Sequence, residues 1–110
     1  MEMNISQPDE RNARIQMIGQ FWKQDELNLF KKHIKELYEK GAKKIVIDLF
    51  RLSFISSQGL GLLVTTFSEL KKKDCELILS RPKGCVKEMI ELSGFDMFME
   101  IEGFSEDLES

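Results

Sequence analysis

The stretch Ile45-Val46-Ile47-Asp48-Leu49, followed shortly by Phe54-Ile55-Ser56-Ser57-Gln58-Gly59-Leu60-Gly61-Leu62-Leu63, decides the fold. The first part is nearly continuous in apolar residues and rich in β-branched ones. That is the composition of a central strand covered on both faces, or covered on one and close to an edge turn. Ser53 to Ser57 reads as a short turn. A helix should follow to about Lys72, because Leu60, Leu63, Val64, Phe67 and Leu70 mark one helical face. Either Ser56 or Ser57 can cap it, since a hydroxyl there accepts a bond from an orphan backbone N–H.

Working outward, Glu76 to Leu79 is another strand, and Pro82 suits the first turn of a helix. That helix runs through Val86, Met89, Ile90 and Leu92 to Ser93-Gly94. Met99 to Glu102 can form a last short strand, and Ser105 can cap a terminal helical turn reaching Leu108. On the other side, Asp25 to Lys40 is helical, with Leu27, Phe30, Ile34, Leu37 and Tyr38 on one face and Gly41 ending it. Met3 to Ser6 and Ala13 to Gly19 read as strands joined through Gln7-Pro8-Asp9. A hairpin followed by alternating strands and helices predicts one mixed sheet with helices packed against it. The fold class is α/β, as one domain over 1–110.

Bulk composition narrows the function. The 110 residues include 16 Lys+Arg against 19 Asp+Glu, a net charge of −3, which argues against a general phosphate-backbone surface. No nucleic-acid partner is expected. The apolar run around Leu60 to Val64 is far shorter than the ~20 residues that cross a bilayer. Met1-Glu2-Met3-Asn4 shows no secretion signal. Cys75 and Cys85 lack a metal-binding spacing and read as reduced, fairly buried thiols, consistent with the cytoplasm.

No catalytic constellation is visible. Gly59-Leu60-Gly61 is not a dinucleotide fingerprint, because Val64 stands where a third glycine belongs, and no Gly-Lys-Ser/Thr ends a phosphate loop. The single histidine, His33, lies on a lysine-rich helix face, so no Ser/His/acid set is credible. No cofactor and no metal are implied. The pattern fits a binding module and not an enzyme.

Small residues offer a different signal. Ser57, Gly61, Thr65 and Ser68 fall along one side of the helix, and Gly61 costs it up to ~1 kcal/mol relative to Ala. Close approach of a partner and tight packing on the domain's own sheet both account for that row. Phe21 and Trp22 follow Gly19 in a polar stretch, and are either an exposed aromatic anchor or a lid on the core.

Two segments carry a family resemblance: Ile45 to Leu49 with Phe54 to Leu63, and Arg81-Pro82-Lys83 with Val86 to Phe95. In that order and separation they resemble the signature of STAS domains, including the bacterial anti-sigma factor antagonists. Gly19 fits the glycine after that family's early strand. The resemblance implies a partner that is both an anti-sigma factor and a serine kinase. It also implies a phospho-acceptor two residues before the motif glycine, Ser57, with Ser56 as the second choice. A serine phosphatase would reverse the modification. The implied partner surface is Trp22, Ser56, Ser57, Gly59, Gly61, Thr65 and Ser68. The sequence departs from the phosphorylated members at Ser56 and Trp22, where they often carry Asp. Those departures keep an alternative open, a non-phosphorylated STAS subunit scaffolding a membrane transport or signalling complex.

Overall fold

The computed structural model describes residues 1–97 and 99–103. In chain order the elements are β1 (Glu2–Ser6), β2 (Asn12–Phe21), α1 (Gln24–Glu39), β3 (Lys44–Asp48), β4 (Leu52–Ile55), α2 (Ser57–Lys72), β5 (Glu76–Ser80), α3 (Gly84–Ser93) and β6 (Glu100–Glu102). The sheet order is β1-β2-β3-β5-β6. Only β1 is antiparallel to its neighbour, and the remaining pairs are parallel. The expected mixed α/β sheet is present, with the Ile45 strand at its centre. The terminal turn expected from Ser105 to Leu108 lies outside the described residues.

Alternation along the strands sets the layers. Ala13, Ile15, Met17, Ile45, Ile47, Leu77 and Leu79 are buried on one face, where they merge with the apolar stripes of all three helices. Arg14, Gln16 and Val46 point the other way and are half-buried. The central strand is therefore covered by helices on one face. From α1 come Leu27, Phe30, Ile34 and Leu37, and Phe30 meets Phe21 edge-on with ring centroids 5.6 Å apart. Gly41, at φ +103°, lets the chain leave α1, and the Gly41 and Ala42 N–H groups bond back to Tyr38 and Leu37 carbonyls.

Several expectations need correction. The region from Ser53, read as a turn, is strand β4, paired with the far end of β2. Leu52 and Ile55 are its buried residues while Ser53 and Phe54 between them are exposed. So short an apolar-polar-apolar unit resembles a turn unless its pairing partner is known. β2 runs past Gly19 because that residue, at φ +106°, marks a shift in register between the two strands it meets. Pro82 precedes α3 instead of opening it: Lys83 is the N-cap. Leu92 lies in α3 as expected and is 85% exposed, because the helix buries the face of Val86, Lys87 and Ile90. Cys75 is buried as expected, but Cys85 is exposed at the start of α3.

Candidate functional site

The carboxyl ends of β2 and β4 and the amino end of α2 meet at Ser56. Its main-chain N–H donates to the Phe21 carbonyl at 3.1 Å, which ties the helix start to β2. Its Oγ accepts from the Gly59 N–H at 3.0 Å. Ser56 is therefore the N-cap, half-buried and committed to holding the first turn. Ser57, the first helical residue, is exposed, and its hydroxyl makes no hydrogen bond to the described residues. The two adjacent serines have separate roles: one caps, the other is free.

Gly59, expected on the partner surface, belongs to the core side instead. A Cβ there would stand 2.9 Å from the Phe21 carbonyl oxygen and 3.0 Å from both Ile55 Cγ1 and Phe21 Cδ2. The glycine permits α2 to lie directly on β2. Gly61 is the opposite case: a Cβ there would meet nothing within 4 Å. Tight packing of α2 on its own sheet thus does not explain Gly61. Ser57, Thr65 and Ser68 are exposed and Gly61 is half-exposed, so the small-residue row faces outward. The Thr65 hydroxyl donates to the Gly61 carbonyl at 2.9 Å and so is engaged within its own helix.

Phe21 and Trp22 divide the two readings made of them. Phe21 is fully buried, and Trp22 is 46% exposed. Trp22 lines an open groove of about 670 Å³ with Gln20, Ser53, Phe54 and Ser56. Phe54 was not singled out from the sequence. Its signal is an aromatic at an outward position of a strand, legible only once β4 is recognised. The structure brings Trp22 and Ser56 together at this groove, and sets Ser57, Gly61, Thr65 and Ser68 along the adjoining helix face.

Electrostatics at this end favour an incoming anion. The first turn of α2 contains no acidic residue, so its positive dipole end is met by the neutral Ser56 cap alone and by no carboxylate of that turn. Asp48, the acid at the end of β3, is already engaged. Its Oδ2 accepts from Arg14 at 3.0 Å and Arg81 at 3.1 Å, and its Oδ1 from the Phe50 N–H at 3.1 Å. Burial works to raise its pKa, but the Phe50 N–H and the two guanidiniums prevail and hold it below the usual carboxylate value. The group acts as a clamp between β2, β3 and the β5–α3 connection. Among the described residues no cluster of three or more His, Cys, Asp or Glu could hold a metal ion, and no helix is long and apolar enough to cross a membrane.

With this geometry in view, the chain can be set beside known proteins. BtrV of Bordetella bronchiseptica, described as an anti-sigma factor antagonist, is 40% identical over 57 residues, 52% of this chain and 49% of BtrV. The matched stretch therefore spans about half of that relative. Among solved structures, the unphosphorylated anti-sigma factor antagonist SpoIIAA superposes with a TM-score of 0.78 at 20% identity, covering 98% of this chain and 94% of SpoIIAA. The phosphorylated form of SpoIIAA, a Bacillus cell fate determinant, gives 0.72 at 19% identity, covering 98% and 97%. These likenesses establish the shared fold. The STAS domain profile matches residues 26–109, from the first turn of α1 onward and through both motifs. The chain belongs to the STAS domain family.

Proposed function

We propose that this protein is an anti-sigma factor antagonist, a switchable binding module. It would dock an anti-sigma factor that is also a serine kinase, and phosphorylation of Ser57 would release it. A serine phosphatase would reset the switch, with the exchange taking place in the cytoplasm. The observation that carries the reading is the division between Ser56 and Ser57: the cap is spent on Gly59, while the neighbouring hydroxyl stands free at an acid-less helix start. A phosphate there adds about −1.5 to −2 charges beside a positive helix end, without opening the core. The descriptions of BtrV and SpoIIAA as antagonists support the same role.

The outward row Ser57, Gly61, Thr65 and Ser68 is the docking face in this reading. Gly61→Arg and Thr65→Arg should each abolish partner binding while leaving the melting temperature within a few degrees, because neither side chain would enter the core. Binding by titration calorimetry beside thermal melts tests this. If either variant unfolds the domain, or if both bind like the wild type, the row is not the docking face. A STAS scaffold in a membrane assembly would carry no phosphate on Ser57 under any condition.

A further inference from the structure

Three segments converge at the carboxyl ends of the strands: residues 16–24, 49–58 and 80–87. They carry Lys23, Arg51, Arg81 and Lys83, all at least partly exposed, with Lys87 buried, and no Asp or Glu, in a chain whose net charge is −3. Three aromatic rings stand in solvent at the same end. Trp22 is 46% exposed, Phe54 42% and Phe50 40%. Lys23 Nζ lies 5.7 Å from the Trp22 ring centroid, and Phe50 has Arg81 Cζ at 4.7 Å and Lys83 Nζ at 4.1 Å. Trp22 and Phe54 share one groove. Ser53 lines the groove with Trp22 and Phe54, and its carbonyl accepts from Cys85 Sγ at 2.8 Å, which joins the groove to the start of α3 beside Lys83.

The acids that border this ledge are largely occupied. Asp48 is held by Arg14 and Arg81, and Glu26 accepts from the Lys23 N–H and pairs with the Met1 ammonium at 3.7 Å. Asp25, Glu88 and Glu102 remain at its margins. Exposed aromatics framed by cations are the composition of an interface anchor, and the potential selects a negative counterpart.

We propose that this ledge extends the partner surface beyond Trp22 and Ser56, taking an acidic segment of the partner protein with an apolar anchor residue seated in the Trp22–Phe54 groove. The inference rests on the partner-binding reading above and adds the chemistry of the partner. The Trp22 and Phe54 rings offer an apolar contact beside fixed cations, and a polypeptide carrying both apolar and acidic side chains meets both at once.

Trp22 is the only tryptophan, so its emission reports on this site directly. The full chain is titrated with a synthetic peptide of Glu and Leu, with its Lys-for-Glu counterpart, and with vesicles of phosphatidylcholine and phosphatidylserine. The acidic peptide should shift the emission to the blue, and its Kd should rise about tenfold from low to physiological salt. Lys83→Glu and Phe54→Ala should each weaken it about tenfold. No shift with the acidic peptide, an equal shift with the Lys peptide, or a shift with vesicles alone would overturn the proposal. The two readings fail separately. A blue shift by the acidic peptide in a protein whose Ser57 is never phosphorylated upholds the ledge and removes the switch.

Discussion

Ser57→Asp should weaken binding to the anti-sigma partner about a hundredfold, a loss of roughly 3 kcal/mol. The expectation follows from where the side chain sits. Ser57 is exposed at the first position of α2, it supports no hydrogen bond among the described residues, and the cap is supplied by Ser56. An aspartate there does not disturb the fold, and it gains from the positive helix end by ~0.3–1 kcal/mol. In the complex, however, it brings a desolvated charge against a surface shaped for a neutral hydroxyl. Ser57→Ala leaves the cap intact and should bind constitutively. Calorimetric titration of both variants reads this out. Equal affinities for the Asp and Ala variants would show that charge at this point does not control docking.

The second large effect falls on stability. Gly59→Ala should destabilise the domain by about 2 kcal/mol, seen as a fall of roughly 10 °C in melting temperature. The methyl group would press on the Phe21 carbonyl oxygen at 2.9 Å, and a backbone atom in a fully buried strand end cannot step aside cheaply. Gly61→Ala is the internal control. It lies in the same helix with nothing within 4 Å, so it should hold or raise the melting temperature, by up to the ~1 kcal/mol that Ala gains over Gly in a helix. Equal losses at the two positions would mean that the helix–strand approach at Phe21 is not the constraint.

These two glycines show how far the sequence alone reaches. Both stand in the motif that identifies the family, and their spacing is visible in the chain. Which of them touches the sheet depends on the angle at which α2 crosses β2, and periodicity does not specify that angle. For the same reason Ser56 and Ser57 were interchangeable as caps until the Gly59 N–H was located. α1 is legible because burial repeats along its length, and the Ile45 strand because its β-branched apolar run is nearly continuous. β4 is not, since four residues give one alternation at most. Trp22 and Phe21 could not be told apart until the end of β2 was seen to turn one ring inward and the other to solvent.

In the proposed function Ser57, and not the capping Ser56, is the switch. Incubation with the cognate kinase and ATP, followed by phosphosite mapping by mass spectrometry, tests it most directly. The account predicts a single phosphate on Ser57, retained in Ser56→Ala and absent from Ser57→Ala. A phosphate on Ser56, or none on either serine, would contradict it.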